Sequence, residues 1–347
     1  MNREAALKDY HNKIQDYLNE QNHLLEQNYL VSEKEFQTQL YDQICNLCKS
    51  VTMPVKYLQV SILRSMLSQD IFMLLISVHN EKYFLDLDYK KVTLDVTRLF
   101  LPLINFKRIL YDMISPYMGK IQKFDADRII MGIAVDFFKK KANHMRRYFR
   151  DFDQWECIED IPKCSRLVVK WGEHRGDSET LFLMDMQQKN QEEFIAYNQE
   201  NRIDTWEPQY NYQSFDNAFL KDSVIQKKNF LFLGMRNGRI ENSSWEASLF
   251  AGAGFKNSIM ENVIFAGCDL SYCDFRNVNL KNAQFIQCKI VESDFRGALF
   301  LNIKFEDCEM QNTIFSRQDL AFAGLDAGQL QQIKIEEEPN VFHDGRG

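Results

Sequence analysis

A large apolar side chain recurs at every fifth residue over the C-terminal part of this 347-residue sequence. The stretch CDLSYCDFRNVNLKNAQF (268–285) shows the pattern, with Leu270, Phe275, Leu280 and Phe285 in register. The same register holds at every position divisible by five from Trp245 to Leu325. Neither an α-helix, with about 3.6 residues per turn, nor a flat strand, with a period of about two, has this spacing. The sequence therefore predicts a repeat architecture.

Two further registers agree with the first. Residues two positions before each large one, from Ser243 to Thr313, are small or β-branched. Residues two positions after it are turn formers that tolerate positive φ, namely Gly252, Asn257, Asn262, Gly267, Asn277, Asn282, Gly297, Asn302, Asp307 and Asn312. A unit with inward large and small side chains followed by a turn makes one side of a square coil. Four units close a coil, and coils stack at the ~4.8 Å spacing of paired strands.

The units CDLSY (268–272), CDFRN (273–277) and SDFRG (293–297) resemble the A(D/N)LXX motif of the pentapeptide-repeat family. The resemblance implies a right-handed quadrilateral parallel β-helix over 213–335, most regular over 243–315, with 336–347 as a C-terminal cap or tail. Lys228 and Gln318 break the small-residue register. The predicted fold class is multi-domain, with an α+β N-terminal domain before this pentapeptide-repeat solenoid.

A period of 20 residues also predicts which side chains stack. One expected ladder is Phe255, Phe275, Phe295 and Phe315, and another is Phe265, Phe285 and Phe305. A third column contains Cys268, Cys288 and Cys308. That column could be a metal or redox site. We favour small buried filler, because free cysteine is among the most buried residue types and a packed lumen leaves no room for an ion.

The first 212 residues show helical and strand patterns instead of the five-residue repeat. Residues 1–52 are predicted to form a helical pair, because an apolar stripe over 2–30 is followed by a capping box at Ser32 and Glu35. Residues 53–212 are predicted to form an α+β head. Its expected elements are a strand over 56–67, a hairpin of 71–78 with 82–87, helices over 96–114 and 125–150, a hairpin of 166–171 with 180–186, and a polar helix over 187–201. The loop 202–213 is expected to cap the first coil.

Candidate chemistry in the head is sparse. Cys45 and Cys48 have CxxC spacing, but Cys157 and Cys164 supply no second CxxC for a zinc site. Asp86 and Asp88 would alternate on a strand as possible paired carboxylates, or would mark an exposed strand end. The RGD sequence at 175–177 is interpreted as part of a turn between two strands. No HExxH, GxSxG or glycine-rich phosphate motif occurs, so we expect no catalytic site, no cofactor and no metal.

A basic stretch, KKKANHMRRYFR (139–150), is the one candidate for a charged docking surface. Positive charge is favoured at a helix C-terminus, which explains the cluster without a partner. The alternative is a surface for an acidic partner or nucleic acid. The residues concerned are Lys139, Lys140, Lys141, Arg146, Arg147 and Arg150.

The formal net charge of −7 is mild and nearly even, with −4 over 213–347 and −3 over 1–212. Direct nucleic-acid binding is therefore not expected. No signal-peptide pattern opens the chain, and the longest apolar run, IFMLLI (71–76), is too short to span a membrane. We expect a cytoplasmic, bacterial-type protein with reduced cysteines, with export by an unconventional route left open.

Three functions remain open at this stage. The first is non-enzymatic: the head binds a specific protein partner, and the rod is a rigid scaffold or recognition face. The second is implied by the family resemblance: some members resemble a rod of DNA and protect type II topoisomerases from inhibitors. Here acidic residues on the repeat are diluted by Lys281, Lys289, Arg296 and Lys304. The third is an enzyme or secreted effector with its activity in the head.

Overall fold

The computed structural model describes residues 2–64, 69–186, 191–199 and 210–336. The chain forms two compact units, Met1–Met186 and Gln187–Gly347. Each unit has its own hydrophobic core. The boundary lies before the expected 212/213 position, because the helix that follows Met186 packs on the solenoid.

The first unit contains five described helices around one sheet. Most of their buried residues belong to one core with the sheet. The helices are α1 (Arg3–Cys48), α2 (Leu101–Asp112), α3 (Lys123–Lys140), α4 (Ala142–Tyr148) and α5 (Glu156–Glu159).

The prediction of two helices meeting at Ser32 is wrong, because α1 continues through that position. Ser32 is buried in the same stripe as Tyr29 and Phe36, three and four residues away. Glu35 pairs with Arg98 instead of capping a helix start. A capping box needs the unbonded N–H groups of a first turn, and a continuous helix has already bonded them. The true start is capped by Asn2, whose side chain accepts from the Ala5 N–H.

The sheet of the first unit is mixed and has five strands in the order β3-β2-β1-β4-β5. β1 and β4 are parallel, and the other neighbours are antiparallel. One face carries apolar residues such as Val60, Ile76 and Trp171 into the core. The strands are β1 (Val55–Ile62), β2 (Met73–His79), β3 (Lys90–Asp95), β4 (Lys163–Glu173) and β5 (Ser178–Asp185).

The hairpin of β4 with β5 lies where the sequence predicts it, whereas the one assigned to 82–87 does not form. β2 pairs instead with β3, and residues Tyr83–Leu85 make a short 3-10 turn. The Tyr83 ring packs at 4.4 Å from that of Tyr57, and its hydroxyl donates to Gln59 Oε1. These contacts hold Tyr83 against the sheet, whereas Leu85 and Leu87 are exposed.

The second unit is the expected β-solenoid with parallel sheets. Residues 20 apart pair in register through successive coils, for example Leu280 with Met260 and Phe300. Two five-stranded sheets run along the rod. The strands of one are β6 (Phe219–Lys221), β8 (Arg239–Glu241), β10 (Ile259–Glu261), β12 (Asn279–Lys281) and β14 (Leu299–Leu301). The strands of the other are β7 (Val224–Gln226), β9 (Ser244–Glu246), β11 (Ile264–Ala266), β13 (Gln284–Ile286) and β15 (Lys304–Glu306).

Aromatic rings fill the lumen of the solenoid in columns. The Phe275 ring stacks at 5.1 Å on that of Phe255 and at 4.6 Å on that of Phe295, which in turn stacks at 5.3 Å on Phe315. The other column holds Phe265, Phe285 and Phe305, with ring centroids 4.9 Å apart. Stacking in both columns follows from the 20-residue coil, which places equivalent side chains one strand spacing apart.

The corners of the coil require left-handed backbone. All ten turn formers that the sequence singles out have φ between 51° and 75°. Bulky residues also occupy corners, including Tyr212, Phe232 and Tyr272. Gly252 follows Phe232 in the same column, and a Cβ there would lie 2.4 Å from Phe232 Cε1. Gly252 is thus needed both for its φ and for space.

Gly252→Ala is expected to destabilise the rod more than Gly267→Ala does. At Gly267, with φ of 60°, an added Cβ would meet nothing within 4 Å, so only the left-handed backbone costs about 1 kcal/mol. At Gly252 the clash with Phe232 adds roughly 1–3 kcal/mol. Amide hydrogen exchange of rod peptides would measure both changes. Equal effects of the two substitutions would show that the Phe232 ring moves aside freely.

Described elements close the rod at both ends. At the first coil, α6 (Gln191–Gln199) stacks Phe194 on Phe215 at 3.9 Å, and Lys228 Nζ lies 4.0 Å from the centroid of the Tyr197 ring. The contact with the Tyr197 ring explains why Lys228 can point inward at a position where the repeat otherwise has a small residue. Most of the loop expected to cap this coil, 202–209, lies outside the described residues.

At the other end the regular strands stop after Phe315, although the five-residue phase of large apolar residues continues in the sequence to the expected Ile335. Two short helices, α7 (Leu320–Ala323) and α8 (Ala327–Leu330), replace the next strands. Gln329 donates to the Phe305 carbonyl there, which occupies an acceptor at the end of the lumen. Strand β17 (Lys334–Ile335) then pairs with β16 (Ile314–Phe315). The expected cap at 337–347 lies outside the described residues.

Candidate functional site

The solenoid has four faces, each made of every fourth unit. Face I holds the units centred on residues 215, 235, 255, 275, 295 and 315. Faces II, III and IV follow around the coil, starting at residues 220, 225 and 230. Faces II and III carry the two five-stranded sheets, while faces I and IV are joined by single bridges. In each unit the residues before and after the central one point away from the lumen.

Face II is distinguished by large apolar side chains that point outward. Phe219, Ile259, Leu299 and Leu301 are 48%, 42%, 64% and 59% exposed. Outward positions do not support the lumen, so the fold does not require apolar residues there. Phe219, Ile259 and Leu299 stand on alternate strands of this sheet, and Arg239 and Asn279 lie between them. Their recurrence on one face makes it a candidate contact surface.

The charges on face II are largely paired with each other. Lys281 Nζ lies 2.6 Å from Glu261 Oε1 on the neighbouring strand, and this hydrogen bond lowers the pKa of the Glu261 carboxyl. Arg239 forms an ion pair with Glu241 along its own strand. The face therefore presents apolar side chains among two ion pairs and the exposed Lys221.

An asparagine column edges face II at the corner with face III. The Asn262, Asn282 and Asn302 side-chain amides each donate to the residue one coil below at 2.9 Å, and Asn242 continues the column down to Asp222. These corner residues have φ near 50°. The column ties successive coils together and keeps this edge straight.

Two of the acidic residues on the repeat, Asp274 and Asp294 on face I, are buried. Asp294 Oδ2 lies 2.7 Å from Arg296 Nη2, and Asp274 Oδ2 lies 2.8 Å from Arg276 Nη2. Burial in itself lowers the pKa of the Arg296 guanidinium, but the bonded Asp294 carboxylate outweighs it, so the pKa is raised. Asp274 and Asp294 thus neutralise their own face and contribute little to an acidic surface.

The cysteine column inside the rod is buried. Cys268, Cys288 and Cys308 donate to backbone carbonyls of the preceding coil at 3.3–3.4 Å. Hydrogen bonding to Cys268 raises the pKa of the Cys288 thiol to about 12. Among the described residues, no group of three His, Cys, Asp or Glu side chains could hold a metal ion. The column packs as small filler.

The basic stretch of the first unit is largely engaged within that unit. Lys139 reaches Asp177, Lys141 pairs with Glu26, and Arg146 pairs with Glu179. Arg147 and Arg150 also have partners, while Lys140 is exposed. The cluster is therefore a set of ion pairs between helices and β5, with only part of its charge available to a ligand.

The cysteines of the first unit are not all reduced, which corrects the sequence expectation. Cys45 and Cys157 form a disulfide across 112 residues. Cys48 and Cys164 are free, and burial raises the pKa of the Cys48 thiol to about 11. The CxxC pair does not bond within itself, because Cys45 pairs instead with a partner brought close by α5.

Asp86 and Asp88 do not alternate on a strand. The Asp86 carboxylate is buried and accepts from the Asn80 and Asp88 backbone N–H groups, which closes the loop after β2. Arg175 of the RGD lies in the turn between β4 and β5, as expected, with φ of 56°.

A buried polar row on the second face of the sheet escaped sequence reasoning. Gln59, Ser77 and His79 are all nearly inaccessible to solvent, and His79 Nε2 lies 2.9 Å from Ser77 Oγ. Burial lowers the pKa of His79, so the imidazole is neutral near pH 7. The alternation of polar residues along β1 and β2 is the signal that could have located it.

Residues 258–335 match the family model described as "Pentapeptide repeat region". This part of the chain belongs to the pentapeptide-repeat family, in agreement with its five-residue registers and its solenoid. The match includes no residue of the first unit. No match was found among curated proteins.

Solved pentapeptide-repeat structures are similar to this chain. Full-length QnrB1, a plasmid-mediated fluoroquinolone resistance protein, is 20% identical with a TM-score of 0.28, over 30% of this chain and 59% of QnrB1. A protein of the Arabidopsis thaliana thylakoid lumen is 17% identical with a TM-score of 0.16, over 34% of this chain and 71% of that one. Rfr23 from the cyanobacterium Cyanothece 51142 is 13% identical with a TM-score of 0.17, over 30% of this chain and 91% of Rfr23.

The chain thus spans between 52% and 59% of the length of the QnrB1 structures that it matches first. At these TM-scores the likeness carries no information about the partner or the activity of this chain. None of the described helices is long and apolar enough to cross a membrane.

Proposed function

We propose that this protein is a non-enzymatic protein-binding protein that uses face II of its rod as a recognition surface. The observation that carries the proposal is the row of outward apolar residues on that face, Phe219, Ile259, Leu299 and Leu301. Burying such side chains against a partner removes apolar surface from water, which is the main driving force of protein association.

The chemistry of face II favours an uncharged, apolar patch on a folded protein as its partner. Four of its five charges form the two ion pairs, and the one remaining charge, on the exposed Lys221, offers little attraction for a polyanion. The strand backbones of this face are already bonded to neighbouring coils, and α7 contacts the last strand, β14. The partner therefore binds through side chains rather than by adding a strand.

The dimensions of the face limit how much it contributes alone. Three residues per strand span about 10 Å, and four strand spacings span about 19 Å. A stable interface buries about 800 Å² on each partner. Face II is smaller than that, so the partner must also contact a neighbouring face of the rod.

Ile259→Glu is expected to weaken partner binding by about tenfold or more, because it replaces the central one of the three apolar residues at this outward position by a charge. Leu249→Glu is the matched control: Leu249 is 43% exposed against 42% for Ile259, but it points outward from face IV on the opposite side. A photo-crosslinker at position 259, with one at 249 as reference, would first identify the partner. Dissociation constants for the purified pair would then be compared.

The proposal requires binding to fall for Ile259→Glu and to change less than about twofold for Leu249→Glu. Equal losses for both variants, or crosslinking only from position 249, would contradict it. Failure to crosslink any protein from position 259 in the native cell would count against it as well.

A role as a DNA mimic on a type II topoisomerase is a less supported candidate. It needs a continuous acidic face, whereas Asp274 and Asp294 are buried in ion pairs and the outward residues of face II carry no net negative charge. A gyrase supercoiling assay separates the two ideas: inhibition or protection at micromolar protein would favour mimicry. An enzymatic activity of the head is a third candidate, and the buried polar row at His79 is its candidate site.

A further inference from the structure

A groove in the first unit is not used by the proposed function. It encloses about 610 Å³ between the end of α1 and the region of α5. Its lining includes both cysteines of the disulfide, Cys45 and Cys157, together with the free Cys48. A disulfide in the wall of an open groove is accessible to small molecules.

The two halves of the disulfide differ in access. Cys157 is half-buried, whereas Cys45 is only 9% exposed at the end of a long helix. A thiolate entering the groove therefore meets Cys157 Sγ first, and Cys45 is the leaving sulfur. Exchange of this kind proceeds by attack of a thiolate on one sulfur through a mixed disulfide.

Cys48 does not perform this attack. It lies one helical turn after Cys45, but burial raises the pKa of its thiol to about 11. The thiol is thus protonated near neutral pH, and only thiolates are nucleophiles. The disulfide therefore persists until a thiol arrives from outside.

The charges around the groove favour attacking thiols of one charge over those of the other. Three exposed carboxylates line it, from Asp42, Glu156 and Asp160, against one exposed cation, Lys49. The lining therefore has a net charge of about −2, which concentrates cations and repels anions. Small thiols that differ only in charge should react at different rates.

We propose that this groove is a thiol–disulfide exchange site for small thiols that carry a positive charge. The thiolate bonds to Cys157 Sγ, the Cys45–Cys157 bond breaks, and Cys45 leaves as a thiolate. A second thiolate then attacks the mixed disulfide and releases Cys157. Two thiols become one small disulfide, and their two protons end on Cys45 and Cys157. The inference is independent of partner binding by face II.

The test compares cysteamine, 2-mercaptoethanol and glutathione, which carry an ammonium group, no charge and a net negative charge. The oxidised full-length protein is treated at equal thiolate concentration and low salt, and loss of the disulfide is followed by alkylation and peptide mass spectrometry. Rates are divided by those of the same thiols on a small uncharged disulfide. We expect cysteamine to exceed glutathione by about tenfold after this correction, and the ratio to shrink in high salt.

Three variants assign the effect to the groove. Asp42→Asn/Glu156→Gln/Asp160→Asn should reduce the ratio to within about twofold of one. The matched triple Glu4→Gln/Asp16→Asn/Glu20→Gln, on exposed residues of α1 away from the groove, should leave it unchanged. In Cys48→Ser the mixed disulfide should still form at Cys157, because the Cys48 thiol is not the nucleophile.

Several results would overturn the inference. Equal corrected rates for the three thiols would remove the charge selection. Free thiols at Cys45 and Cys157 in air-oxidised protein would remove the disulfide itself. Mixed disulfides found only at Cys164, or exchange abolished by Cys48→Ser, would place the chemistry on another sulfur.

Discussion

Replacing Phe275 by alanine should cost the rod about 3–5 kcal/mol in free energy of unfolding. The Phe275 ring is fully buried and lies between those of Phe255 and Phe295, with the Phe285 ring edge-on at 6.0 Å. Alanine would leave a cavity that the neighbouring coils cannot close, because both are held in register by strand pairing. The loss corresponds to a fall in protection of amide hydrogens of roughly a hundredfold to several thousandfold.

Hydrogen exchange measured by mass spectrometry suits this test, because it resolves the rod from the first unit. The control is Phe219→Ala, which removes the same side chain from an outward position that is 48% exposed. That variant should change protection by less than about 1 kcal/mol. If both alanine variants behave alike, the aromatic columns do not carry the stability of the rod.

Asp294→Ala should be the second most damaging substitution, at about 3–5 kcal/mol. The Asp294 side chain is fully buried, and its carboxylate bonds to Nε and Nη2 of Arg296 at 3.0 and 2.7 Å. Removing it leaves a guanidinium that is only 11% exposed without its main counter-charge. An uncompensated buried charge is far more costly than the loss of an exposed pair.

The matched control is Glu261→Ala, which removes one partner of the exposed Lys281–Glu261 pair on face II. An exposed pair of this kind contributes little to the free energy of unfolding, because water and salt screen it. Urea denaturation followed by circular dichroism would compare the two variants at neutral pH. A loss for Asp294→Ala no larger than that for Glu261→Ala would mean that water reaches Arg296 easily.

The rod could be predicted from sequence because every local rule agrees along it. The large, small and turn-forming positions each repeat in the same register, so one unit implies the next. The 20-residue coil then predicts contacts such as Phe275 with Phe295 without further information. The end of the pattern was less predictable, because Leu320, Leu325 and Leu330 keep the phase while the backbone turns helical at α7 and α8.

The structure of the first unit was harder to predict from the sequence, because the contacts that determine it join residues far apart in the chain. The capping box at Ser32 is a local signal, and only the packing of Ser32 against the core shows that the helix continues. Likewise, the apolar residues of 82–87 suit either a strand or a lid over the sheet. The Cys45–Cys157 pairing spans 112 residues, so no spacing rule could find it.

The candidate surface was within reach of sequence reasoning but was not identified. Outward positions of a solenoid are free to be polar, so apolar residues there carry information that the lumen does not. Phe219, Ile259 and Leu299 stand at the same outward position, 40 residues apart. A comparison of outward positions alone would have separated face II from its neighbours.

The straight asparagine column at the corner of face II has a consequence for how such a rod can change in length. Insertion of a complete coil would extend the column by one amide and leave each surface residue on its own side. Insertion of a single five-residue unit would turn everything beyond it through a quarter of a revolution and scatter the apolar row around the rod. Growth or shortening that preserves binding is therefore confined to steps of whole coils.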